Sequence, residues 1–107
     1  MRDNYLKKLE QMQKELLEMG MLCEEAIRKT YRLLASEQGR EELVKSIDTL
    51  EREIDAKERR IEADCIQLFL QQQPVASDLR LISSALKMIT DLERIGDHAT
   101  DIAEILE

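Results

Sequence analysis

A single proline, Pro74, and three glycines interrupt 107 residues. So few breaks leave room for only a few long elements. Leu, Glu, Lys, Gln, Arg and Met dominate between them, and these residues favour helix. Aromatics make up 3% of the chain and β-branched residues are sparse, so strands are not expected. The fold class that follows is all-α: one domain over 1–107, an antiparallel bundle of three long helices at about 3–36, 41–72 and 75–106.

The hydrophobic spacing supports this division. Leu6, Leu9, Gln13, Leu16, Gly20, Cys23, Ile27, Thr30 and Leu34 recur at alternating three and four. A second row runs Tyr5, Met12, Met19, Ala26, Leu33. Together they form a face wider than a coiled-coil seam. Gly39 suits the left-handed residue that follows a helix, and Glu41 and Glu42 favour the start of the next through its dipole. Leu43, Ile47, Leu50, Ile54, Ile61 and Leu68 form the second stripe, flanked by Val44 and Cys65. Pro74 biases Gln73 away from helical geometry, and Pro74 or Ser77 then opens the third helix. That helix is apolar over most of its circumference and calls for cover on more than one side. The connections are short, which makes neighbouring helices antiparallel.

Composition excludes several functions. A formal net charge of −7 gains nothing from counterion release on DNA or RNA, and without Trp there is no platform for stacking bases. No apolar run is long enough to span a bilayer. The N-terminus lacks a signal-peptide apolar core, so the expected location is the cytoplasm, reaching the inner face of the membrane only through partners. Cys23 and Cys65 show neither metal nor redox spacing and fall at different heights, so they read as small core residues rather than a disulfide. There is no phosphate loop, nucleophile elbow or Cys/His pair, and an enzyme is not expected.

Two acidic rows are the informative feature. Glu93, Asp97 and Asp101 stack at i, i+4, i+8 on the third helix, with Glu93 continuing the stripe of Leu86 and Ile89. Asp48, Glu51 and Asp55 share a face of the second. In a hairpin folded at Pro74, residues equidistant from the turn lie side by side. Asp55 and Glu93 each stand 19 residues from Pro74, and Glu51 and Asp97 each stand 23 away. Asp48 and Asp101 stand 26 and 27 away. Six carboxylates at one level call for cations, and hard oxygen-binding ions (Mg²⁺, Ca²⁺, Mn²⁺, iron) suit them. Spacing alone leaves a second reading open. The rows are then a solvated face neutralised by Lys45, Arg52, Lys57 and Arg94, with Arg52 pairing Asp48 or Asp97. A ferritin-type di-iron site needs Glu-x-x-His motifs. The single histidine, His98, makes none and reads as a surface or helix-terminal residue.

The stretch QQPVASDLRLISSALKMITDLERIGDHATDIAEIL, Gln72 to Leu106, resembles the PhoU signature, a QPVA-DLR turn followed by DLERIGD-A--IAE. SIDTLEREID, Ser46 to Asp55, resembles the D--V--LE--ID segment that precedes it. The resemblance implies a three-helix bundle, usually present twice per chain. It also implies E(D)-x-x-x-D motifs that hold iron or zinc clusters in some members, with manganese or magnesium open. These motifs match Glu51/Asp55, Glu93/Asp97 and Asp97/Asp101, with Asp48 adjoining. It further implies a cytosolic negative regulator of phosphate uptake and phosphate-starvation signalling. Its expected partners are the ATPase subunit of the phosphate transporter and the phosphate sensor histidine kinase. Only one repeat is present, so pairing with a second repeat or a second copy as a homodimer is expected. In the DLR turn, Asp78 and Arg80 read as a helix-start cap and ion pair. The rival to the signalling role is a bundle whose function is metal storage or sensing itself.

Overall fold

The computed structural model describes residues 2–71 and 76–106. Among them are three helices: α1 (Arg2–Ala35), α2 (Arg40–Gln71) and α3 (Ala76–Leu106). Within the described residues each lies along its expected span, and the expected limits at 72 and 75 fall outside them. The break proposed at Pro74 lies outside the described residues.

Gly39 sits between α1 and α2 with φ of 71°, a conformation that any Cβ would strain. Its carbonyl accepts the Leu43 amide at 3.1 Å, so Gly39, four residues past the end of α1 and directly before α2, seats the first turn of α2. The side chains then report the register. Lys29 of α1 meets Ser46 of α2, Glu18 meets Lys57 at 3.2 Å, and Glu15 meets Arg60 at 3.6 Å. Ascending numbers on one helix against descending numbers on the other mean antiparallel packing. Between α2 and α3 the same holds, with Glu51 against Thr100 at 2.7 Å and Ile54 against Gly96. Cys23 of α1 reaches the Leu92 carbonyl of α3 at 3.2 Å. The result is an up-down-up bundle 54 Å long, the length expected of ~34 residues at 1.5 Å per residue.

The core runs down the axis in two stacked parts. The larger holds Met12, Met19, Ile54, Ile61, Leu68 and Ile82, all fully buried. The narrower part lies toward the α1–α2 turn, where Ala26, Ala99 and Ala103 surround Leu33, Val44 and Ile47. On α2 the expected stripe is the buried one, except Leu43, which is partly buried and packs against the core.

On α1 the two expected rows separate. The row Tyr5, Met12, Met19, Ala26, Leu33 is buried throughout. From the other, Leu9, Cys23 and Thr30 are buried, but Leu6, Ile27 and Leu34 are exposed. A helix in a three-helix bundle turns only the arc between its two neighbours inward. An apolar face broader than that arc must leave part of itself outside. The same holds for α3, where Leu79, Met88, Ile102 and Ile105 are exposed. Among the described residues nothing covers these side chains. Cys23 and Cys65 are both free thiols in the core.

Candidate metal centre

The acidic rows meet beside a close approach of α2 and α3. A Cβ added at Gly96 would lie 3.2 Å from Ile54 Cδ1, so the missing side chain lets the helices approach at this level. Asp97 follows immediately. Glu51, Asp55 and Asp97 each present a carboxylate oxygen, and these oxygens all lie within 4.8 Å of one another. All three side chains are half-buried. Two unit charges at that separation repel by about 3 kcal/mol at an effective dielectric constant near 20, so the trio is costly as three bare anions.

The surroundings do little to neutralise it. Arg52 and Arg94 are exposed, and neither makes an ion pair among the described residues. Lys57 is engaged by Glu18 of α1, and Lys45 lies 3.7 Å from Glu41. Among the described residues, the four basic side chains offered by the sequence therefore leave the trio without a cationic partner. One neutral donor serves it. Thr100 is buried, with its hydroxyl 2.7 Å from Glu51 Oε2 and 3.2 Å from the Gly96 carbonyl. A hydroxyl has one proton, and the shorter, charge-assisted bond to Glu51 takes it.

The strain appears in the titration of the carboxyls. The Glu51 carboxyl is raised above its ordinary value by burial, then by its hydrogen bond with Asp97 and the charges of Asp55 and Asp97, against the pull of Thr100. Glu93 is pushed up to about 7 by burial, then by the charges of Asp97, Glu58 and Asp55 and a hydrogen bond with Asp97. Each wants either a proton or a cation. Oxygen-only donors fit a hard cation. Neither thiol competes: burial pushes Cys23 up to about 11 and, with the charges of Asp64 and Glu62, Cys65 to about 11.

Of the six carboxylates expected at one level, the structure brings Glu51, Asp55 and Asp97 into a single group. Glu93 adjoins it through Asp97 and Asp55. Asp48 and Asp101 lie outside that group, and Asp101 is exposed. They stand about one turn further along each helix, and Asp48 is half-buried like the trio. Glu58 was missed. Its carboxyl is raised by burial and then by Asp55, Glu62 and Asp97, with Arg59 opposing. The signal was present, since Glu58 stands seven residues after Glu51 and so on the same helical face. His98 is exposed and lines a groove between α1 and α3 with Ile27, Tyr31 and Ile102.

The fold and this site define an all-α three-helix domain with a carboxylate centre between its second and third helices. The family model described as the PhoU domain matches residues 16–106, and the chain belongs to the PhoU family. A phosphate-specific transport system accessory protein PhoU homolog from Synechocystis sp. is 42% identical over 97 residues, covering 91% of this chain and 42% of that protein. The protein of the same name from Pseudomonas putida is 41% identical over 96 residues, covering 89% of this chain and 36% of its own length. That from Aquifex aeolicus is 40% identical over 100 residues, covering 92% and 43%. The chain thus spans less than half the length of these relatives. No solved structure gives a significant match. No helix among the described residues is long and apolar enough to cross a membrane.

Proposed function

We propose that the chain is a non-catalytic, cytoplasmic regulatory adaptor of phosphate uptake that represses phosphate-starvation signalling and binds a divalent or trivalent metal ion. The regulatory role rests on membership of a family whose relatives are named as accessory proteins of phosphate-specific transport. The metal rests on one observation: Glu51, Asp55 and Asp97 converge with no basic side chain to neutralise them. Glu93 and Glu58 would complete the shell. Iron, zinc, manganese and magnesium are the candidate ions, and the cation would lock α2 to α3. The locked bundle would then dock on the transporter ATPase subunit and the sensor histidine kinase.

Elemental analysis of protein purified without chelator, beside Glu51→Gln/Asp97→Asn, tests the metal. Stoichiometric metal lost in the variant is expected, and metal absent from both would remove this part. Binding assays against the ATPase subunit and the kinase, with and without EDTA, test the adaptor role, which fails if neither binds in either condition.

The exposed apolar side chains of α1 and α3 support pairing with a second copy or second repeat. Leu17, Met21, Tyr31, Leu34 and Ile105 are each more than half exposed. Leu17, Met21, Tyr31 and Leu34 lie on α1, which carries neither of the two acidic rows, so two chains of net charge −7 can meet there without opposing those rows. Light scattering should report a dimer that Tyr31→Lys/Leu34→Lys converts to monomer. A monomeric parent protein would refute this pairing.

A further inference from the structure

Glu15 is an acidic residue on the buried face of α1, between Met12 and Met19. It faces inward from α1 with only 4% of its surface exposed. Its Oε1 receives the Gln11 amide at 3.4 Å and faces the Arg60 guanidinium of α2 at 3.6 Å. Its Oε2 is buried with no donor. A buried carboxylate oxygen without a hydrogen bond is costly, and a proton donor within its reach would relieve that cost. The group within hydrogen-bonding reach from α2 is Asp64, another acid. Two carboxylates are both acceptors, so they can bond only through a proton held between them.

We propose that Glu15 and Asp64 share one proton and form a pH-sensitive clasp between α1 and α2. The clasp is separate from the carboxylate centre, since Asp64 stands nine residues beyond Asp55 on the same helix, ~13 Å along the axis. Its electrostatic neighbours are few. Lys8 of α1 and Arg60 of α2 favour the ionised form of Asp64. On α2, Glu62 lies nearby in sequence and is exposed. α3 packs this end of the core with Ile82 and Ala85, while Arg80 and Lys87 of α3 are exposed. Burial, the hydrogen bond to Glu15 and the Glu15 charge outweigh the two cations and raise the Asp64 carboxyl from 3.8 to about 6.

A carboxyl that keeps its proton to higher pH in the folded state contributes stability at low pH. That contribution is lost as pH rises from the unfolded value through about 6. Above that, the two helices carry facing negative charges, and Arg60 is the cation left to bridge them. The N-terminal half of α1 is thereby held more tightly to α2 in mildly acidic than in neutral solution.

Carboxyl ¹³C NMR on the full chain in EDTA tests the clasp. In the parent protein the Asp64 carboxyl should titrate near 6. In Glu15→Gln, whose amide can donate to Asp64 at any pH, the midpoint should fall toward the ordinary aspartate range. An ordinary Asp64 midpoint in the parent protein, or a midpoint unmoved by Glu15→Gln, overturns the proposal. Asp64→Asn provides a second arm that does not depend on the first variant folding. Its amide supplies the missing donor permanently, so amide hydrogen exchange around Glu15, corrected for intrinsic rates, should lose its slowing between pH 7.5 and pH 5. Exchange that keeps the parent's pH dependence in Asp64→Asn overturns it equally.

Discussion

Replacing Asp97 by Asn should stabilise the metal-free protein at pH 8 while abolishing metal binding. Asp97 belongs to the trio and is the leading charge acting on Glu93. Glu93 titrates at about 7 instead of 4.5. A raised carboxyl pKa means that the folded state holds the proton more tightly, so stability falls as pH rises from about 4.5 through about 7. Between pH 5 and pH 8 the full shift would correspond to at most ~3 kcal/mol. Glu93 is only partly buried, and solvent screening reduces this to ~1 kcal/mol. Burial, Glu58 and Asp55 still act on Glu93 in Asp97→Asn, so urea unfolding in EDTA at fixed ionic strength should show the parent protein losing more stability than the variant between the two pH values, by only the part of that ~1 kcal/mol that Asp97 supplies. Taking the difference cancels the contribution of Asp64, which both proteins share. Saturating metal should reverse the ranking, since a ligand at one hundred times its Kd adds ~2.7 kcal/mol to a protein that binds it and nothing to one that does not. An Asp97→Asn protein less stable than the parent at pH 8 in EDTA would refute the reasoning. The same holds if metal raises the two Tm values equally.

Three further outcomes follow from the packing. Ile61→Ala removes a side chain with no exposed surface and should cost ~2–5 kcal/mol in urea unfolding; a smaller loss would mean that the core collapses around the gap. Gly39→Ala places a Cβ at φ of 71° and should cost ~1 kcal/mol, although nothing lies within 4 Å of the new atom. A neutral Gly39→Ala would show that the turn adopts another conformation. Cys23 and Cys65, buried with thiols at about 11, should resist a thiol reagent at pH 8 until urea unfolds the chain, and rapid native labelling would contradict the packing described.

The sequence by itself determined the number and order of the helices, because helix breakers and hydrophobic spacing act locally. Counting outward from Pro74 also placed Glu51 opposite Asp97 and Asp55 near Glu93, because an antiparallel hairpin of regular helices fixes height by arithmetic alone. Height is not direction, however. Whether a side chain at a given level turns inward, toward a neighbour or outward depends on how each helix is rotated about its axis, and packing of all three helices sets that rotation. Tertiary structure therefore decided that Leu34 is exposed while Leu33 is buried, that Asp101 faces solvent, and that Glu58 joins the carboxylates. It also decided the fate of Glu15. Glu15 stands three residues after Met12 and four before Met19, on the buried face of α1, and packing turns it toward the seam with α2. There it can remain only by sharing its charge with Arg60 and Asp64, residues more than forty positions away that only the folded chain brings within reach.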